Sequence, residues 1–238
     1  MQKTKLDRFI QKYNLNGNVN SVKWTSREDK LATTFVTSDK SLMGSVTVDN
    51  VQFDEGDVGV YTTDLLQKLL GVLGDDVTLN VSKFGDKAVS LKVKNGTVSV
   101  DYTLSDLSVI PDPPTLKRVP EFQTNIKIDS HFIETFIKGK SALSDAETFT
   151  LITGDETQVV IGYASTNTNR VNIPVETTTN ELTDNISFNA NLFRDVLAAN
   201  KECTSAVLEV SNDGLLRINF KVDDYDSTYY LVATQGVD

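Results

Sequence analysis

LLQKLL, residues 65–70, is an apolar doublet, two polar residues and a second apolar doublet. On a helix of 3.6 residues per turn, positions i, i+1, i+4 and i+5 share one stripe, so the stretch predicts a short amphipathic helix. The same figure returns as FIETFI at 132–137 and LFRDVL at 192–197. A weaker copy is KLDRFI at 5–10, where Lys5 replaces the first apolar residue. The copies begin at 5, 65, 132 and 192, at intervals of 60, 67 and 60. The longer middle step contains SVIPDPPTLKRVPEF (108–122), which holds Pro111, Pro113, Pro114 and Pro120, four of the chain's five prolines. Proline fixes φ and removes an amide donor, so this stretch predicts a stiff, extended connector outside any sheet. The period therefore predicts two domains, 1–109 and 123–238, each of two units of about sixty residues, joined by a connector at 110–122.

The unit contents agree. Alternating strands precede three of the helices, at Val58 and Val60, Ile126 and Ile128, and Ile186 and Phe188. Capping side chains mark the helix starts: Thr62 and Thr63, Ser130, and Asn189 or Asn191. β-rich runs follow, punctuated by Gly85-Asp86, Asn95-Gly96, Asp213-Gly214 and Asp223-Asp224. Each unit reads as β-α-β-β-β with local hairpins, the first lacking its leading strand. The expected fold class is α+β with antiparallel sheets.

Of the 238 residues, 39% are hydrophobic and 24% charged, ordinary for a soluble globular protein. No apolar run reaches the roughly 18–20 residues of a membrane span, and the amphipathic start MQKTKLDRFIQKY does not resemble a signal peptide. The single cysteine, Cys203, excludes an internal disulfide and suits a reducing cytoplasm. Net charge is −10, but it is segregated. The windows 3–13, 62–72, 130–141 and 190–202 carry nine bases: Lys3, Lys5, Arg8, Lys12, Lys68, Lys138, Lys140, Arg194 and Lys201. They carry five acids, which leaves 14 of the chain's 23 bases and 28 of its 33 acids elsewhere. Lysine commonly solvates an amphipathic helix, but a basic helical face on an acidic protein also suits a polyanion.

Chemistry is scarce. His131 stands alone at a helix start, so neither a Ser-His-Asp triad nor a Cys-His dyad has a basis, and no phosphate-binding glycine motif appears. The pairs Asp75-Asp76 and Asp223-Asp224, with Asp226, could serve a metal or a hydrolase, but they sit in expected turns, where acids are common. No enzyme, metal or cofactor is expected.

VGVYTTDLLQKLLGVLGDDVTLNV (58–81) resembles the second quarter of the DNA sliding clamps, the ring-shaped processivity factors of DNA polymerases. AVLEVSNDGLLRINFKVDDYDSTYYLVAT (206–234) resembles their closing hairpin and final strand in the proliferating cell nuclear antigen type. The absent first strand and short length look more like the clamps of T-even-type bacteriophages. The resemblance implies two similar domains of the DNA-clamp fold and a homotrimeric ring, with helices lining the hole and sheets outside. It implies sequence-independent passage of double-stranded DNA past the nine bases above, and as partners a replicative DNA polymerase and a clamp-loader ATPase, in the cytoplasm of a host cell if the source is viral. Subunits would join through edge strands near 98–107 (Val98, Val100, Tyr102, Leu104) and 169–176 (Val171, Ile173, Val175). A pocket for partner tails would use Leu42, Ile110, Leu116, Val119, Tyr230, Val232 and Ala233. The rival classes are a phage structural or assembly protein, which leaves the 60/67/60 period unexplained, and a hydrolase using paired carboxylates.

Overall fold

The computed structural model describes residues 2–116, 118–153, 156–162 and 168–234. In chain order the described elements are α1 (Lys3–Asn14), β1 (Val22–Arg27), β2 (Lys30–Val36), β3 (Leu42–Val48), β4 (Gly56–Val60), α2 (Thr63–Leu70), β5 (Thr78–Phe84), β6 (Lys87–Asn95) and β7 (Val98–Thr103). A 3-10 turn at Leu107–Val109 leads into 110–122, where the described residues form no regular structure. Then come β8 (Thr124–Asp129), α3 (Ser130–Ala142), β9 (Thr148–Ile152), β10 (Gln158–Ile161), β11 (Val171–Pro174), β12 (Thr177–Asn180), β13 (Ile186–Asn189), α4 (Ala190–Ala199), β14 (Ser205–Val210), β15 (Leu215–Val222) and β16 (Tyr225–Val232). The class is α+β with antiparallel pairing, and β-α-β-β-β recurs.

By contacts the chain divides into two compact units. The first comprises Met1–Ser38, Gly44–Pro114 and Asp223–Ser227; the second comprises Asp39–Met43, Thr115–Val222 and Thr228–Asp238. The division within the proline segment falls at Pro114, and the exchange of two short segments has no counterpart in the sequence period.

In the first unit the strands run β3-β2-β1-β4 and β5-β6-β7. Leu6, Phe9, Ile10 and Tyr13 of α1 and Leu66 and Leu70 of α2 are buried, with Trp24, Leu31, Phe35, Val58 and Val60 from the sheet. The first leucine of each α2 doublet departs from the expected stripe: Leu65 is exposed and Leu69 half-buried. Phe9, Tyr13 and Trp24 meet edge to face at 5.6–6.4 Å, a geometry that aromatic quadrupoles favour. In the second unit the orders are β12-β8-β14-β15-β16 and β11-β10-β9-β13. There α3 and α4 bury a phenylalanine cluster, with Phe136 edge-on to Phe149 (5.3 Å) and Phe193 (4.9 Å). Burying one such ring contributes about 1.5–3 kcal/mol.

Leading strands pair with the following strands of the sister repeat. Their last residues meet the first residues of those strands: Val60↔Val22, Asp129↔Ser205 and Asn189↔Thr148. At β5, among the described residues, that place holds the Gln2↔Asp76 bridge and the Lys3 N–H donating to the Asp75 carbonyl at 2.5 Å. The β5-β6-β7 sheet therefore has three strands.

Some local expectations are corrected. Asp129, not Ser130, caps α3, its carboxylate accepting from the Phe132 amide at 2.8 Å. At α4 the cap is Asn189, one of the two asparagines expected there, its Oδ1 accepting from the Asn191 and Leu192 amides at 2.9 and 3.0 Å. Neither expected threonine caps α2 through its side chain: Thr62 makes no cap bond, and Thr63 is buried with its hydroxyl donating to Asn20 O.

Candidate nucleic-acid and partner interfaces

Nine helical bases were expected to face one polyanion, and the structure separates them. Lys12 and Lys140 are each only 1% exposed, which removes both from any surface that could meet phosphate. Each lies in the last turn of its helix, where a cation complements the helix dipole. The Lys140 ammonium donates to the Leu143 and Ser144 carbonyls at 3.3 and 2.7 Å, and burial together with nearby Arg194 pulls its pKa down. The Lys12 ammonium sits 5.2 Å from the Tyr225 ring centroid. Helical phase could have revealed both, since Lys12 follows Phe9 by three residues and Lys140 follows Phe136 by four.

Lys5 and Arg8 are partly exposed and engaged. The Lys5 ammonium contacts Asp224 at 2.5 Å and the Asn50 carbonyl at 3.2 Å; Arg8 reaches Asp223 at 3.0 Å and lies 4.6 Å over Tyr225. Lys5, then Asn50 and Arg8, hold the Asp224 carboxyl below the usual carboxylate range. Lys3 lies 3.8 Å from Asp7. On the other helices, Lys68 and Lys201 are exposed, Lys138 is 78% exposed beside Glu134, and Arg194 turns to Asp195 at 2.8 Å. Sequence reasoning missed the part of Asp223 and Asp224, because their basic partners stand more than two hundred residues away.

Strands β7 and β11 are both outermost in their sheets. Val100, Tyr102 and Leu104 are nevertheless buried in the first unit, and the Tyr102 hydroxyl accepts from the Thr62 amide at 2.9 Å. Ile173 is buried in the second. The edges thus present backbone together with Val98, which is exposed, and Val171 and Val175, which are half-buried. The free stretch is shorter than 98–107, because the Ser105 amide donates to the Gly59 carbonyl at 2.9 Å. Glycine is required there: a Cβ on Gly59 would stand 2.5 Å from the Ser105 carbonyl oxygen.

No protein-family model matches the chain, and no curated protein matches it in sequence. Solved structures do. The crystal structure of proliferating cellular nuclear antigen from Entamoeba histolytica aligns over 99% of this chain and 97% of its own, at 16% identity and a TM-score of 0.73. The A. fulgidus PCNA solved with the C-terminal region of FEN-1 aligns over 100% and 98%, at 14% identity and a TM-score of 0.76. The chain has the sliding-clamp fold.

Among the residues expected in the partner pocket, Leu42 is fully buried and Ile110 is 3% exposed, so neither presents a wall. Leu116, Tyr230 and Ala233 are half-buried, and Val119 and Val232 exposed. Tyr230 and Val232 share the outer face of β16, whereas Tyr229 and Leu231 point inward. In this unit Arg217 grips Glu209 through two nitrogens (2.5 and 2.7 Å) and lies 4.4 Å over the Phe122 ring. Arg118, Pro120, Glu121 and Gln123 line a cavity of about 530 Å³ with residues of the Ser211–Leu215 turn. Sequence reasoning missed Phe122 and Arg217, although the β14–β15 register, Glu209↔Arg217, puts the charged pair on the outer face of the clamp-fold sheet.

His131 is exposed and lines a cavity with Lys127, Asp129 and Glu176. Among the described residues no group of three or more His, Cys, Asp or Glu could hold a metal ion. Cys203 is buried with its Sγ donating to Ser205 O. No described helix is long and apolar enough to cross a membrane.

Proposed function

We propose that this protein is a DNA sliding clamp that works without a catalytic step. Three copies close into a ring, head to tail, the β7 edge of one copy adding to the β11 edge of the next. Closure removes edges that would otherwise invite aggregation. Double-stranded DNA passes through the hole irrespective of sequence. The replicative polymerase is tethered to its template, and an ATPase loader opens the ring. The observation that carries this reading is the alignment of the whole chain, end to end, with two solved clamps.

The charge distribution supports it. A sliding protein needs phosphate attraction without base readout, and that attraction must stay weak. Lys68, Lys138 and Lys201 supply exposed cations, and Lys3, Lys5, Arg8 and Arg194 supply partly engaged ones. Lys12 and Lys140 serve the fold, so charge reversal there would unfold the protein rather than release DNA. On the outer side, Leu116, Val119, Tyr230, Val232 and Ala233 are the accessible candidates for docking partner tails. The domains are 1–109 and 123–238 with the connector between, and the compartment is the cytoplasm, of the host cell if viral. The clamp is taken to be of the T-even phage type, as the sequence resemblance implies.

Sedimentation at micromolar concentration tests the ring. A single species of three chains is expected; a monomer or an open polymer would favour a structural or assembly protein.

A further inference from the structure

The clamp reading leaves one arrangement unused. Asp223 and Asp224, counted by their contacts in the first unit, press two carboxylates onto the basic side chains of α1. Exposed ion pairs are normally loose and worth little. Here the acidic turn is tied down at several independent points. The Tyr225 hydroxyl donates to the Lys5 carbonyl at 2.8 Å, and the Asp49 amide donates to the Asp224 carbonyl at 2.9 Å. The Asn50 side chain donates to the Asp224 carboxylate at 3.1 Å, and Arg8 and Lys12 both address the Tyr225 ring. Asp223 holds φ +52°, a left-handed conformation that Asp and Asn tolerate better than most residues. The carboxylates remain within reach of solvent, with side chains 66% (Asp223) and 42% (Asp224) exposed.

We propose that Asp223 and Asp224 are positioning residues that act as a built-in counter-ion for the DNA-facing side of α1, holding Lys5 and Arg8 in place of DNA phosphates. The proposal rests on the clamp reading and concerns the regulation of its DNA-facing surface. A phosphate reaching Arg8 or Lys5 must displace a carboxylate already seated there. The gain from each contact is therefore small and transient, which a sliding protein requires. Because the acids come from a turn held by Tyr225 and Asn50, the screening is permanent and does not depend on mobile counterions.

The test uses the full chain with Asp223→Asn and Asp224→Asn, substitutions that keep shape and suit the backbone. Binding to a linear duplex is measured by anisotropy across a salt series. Removing the two carboxylate charges should tighten binding roughly tenfold near 0.1 M salt and steepen the log–log salt slope by about 1–2. Removing Lys5 and Arg8 as well (both→Ala) should abolish the gain. A charge-matched control, Glu55→Gln with Asp86→Asn, alters carboxylates beside β4 and the β5–β6 turn and should leave affinity within twofold. Asp223→Asn alone, which removes only the carboxylate charge facing Arg8, should give about a third of the gain and serves if the double variant folds poorly. Equal affinity of variant and parent, an equal gain in the control, or a gain that survives loss of Lys5 and Arg8 would overturn the proposal. Retention of the parent on a nicked circle separates the two levels. A retained parent with an unresponsive variant sinks this proposal alone, whereas no retention and no duplex binding by any variant sinks the clamp reading with it.

Discussion

The two units solve one packing problem with different side chains. In the first, α1 and α2 lie over a mixed cluster of Phe9, Tyr13, Trp24 and Phe35, and the Tyr13 hydroxyl is 3.3 Å from Thr63 Oγ1. In the second, α3 and α4 pack with Phe132, Phe136, Phe149, Phe188 and Phe193, and the buried Tyr229, beside Phe220, accepts from the Asn200 side chain at 3.0 Å. The repeat thus specifies where a ring must sit and leaves its chemistry open. Each core also holds a hydrogen-bonded tyrosine: Tyr13 beside Thr63 in the first, which adds an indole ring, and Tyr229 beside Asn200 in the second, where the other rings are phenylalanines.

The largest expected effect lies in the phenylalanine cluster. Phe136 is fully buried and touches two other rings edge-on, so Phe136→Ala should cost about 3–5 kcal/mol by urea unfolding followed by far-UV circular dichroism. A loss below 1 kcal/mol would show that this cluster is not what holds α3 and α4.

Alkaline pH should test the tyrosines of the first unit next. Burial pushes the Tyr13 phenol well above its ordinary pKa, and burial also raises Tyr102 in the same unit. An unfolded tyrosine ionises near pH 10 and the folded one only higher, so this stabilisation is complete below pH 10. Above it, each such group costs about 1.4 kcal/mol per pH unit until the folded phenol itself ionises. Trp24, the chain's single tryptophan, sits beside Tyr13 and reports the loss by its fluorescence. Tyr13→Phe should flatten the decline, and an unchanged profile would remove Tyr13 as its cause.

The smallest expected effects are at the helix starts. Asp129→Ala should cost about 1 kcal/mol in thermal unfolding, because it strips a cap from α3. Thr62→Ala at α2, which has no side-chain cap to lose, should change stability by less than about 0.5 kcal/mol. Equal losses at both sites would undo the distinction between the two helix entrances.

Much of this was legible in the sequence because the helices repeat a doublet. LLQKLL, FIETFI and LFRDVL have one solution on a 3.6-residue helix, and the observed helices include all three. The alternating strands β8, β14 and β15 were equally readable. β12 was not: Thr177–Asn180 reads TTTN, with no apolar residue to betray a face, and pairs only at a sheet edge with a register shift. The exchange of leading strands between repeats was hidden too, since period and pattern carry no information on which strands pair. At the candidate site, residue type predicted charge but not direction. Lys12 and Lys140 counted as bases, yet their helical phase turns them inward. Asp223 and Asp224 looked like ordinary turn residues because the cations they hold lie at the other end of the chain.

The central claim is that this chain encircles DNA. Retention on a nicked circular duplex after loading, compared with the same DNA linearised by one restriction cut, tests it most directly. Protein should stay with the circle through a high-salt gel-filtration step and be lost from the linear form by running off its ends. Equal retention on both, or release from both in salt, would contradict encirclement.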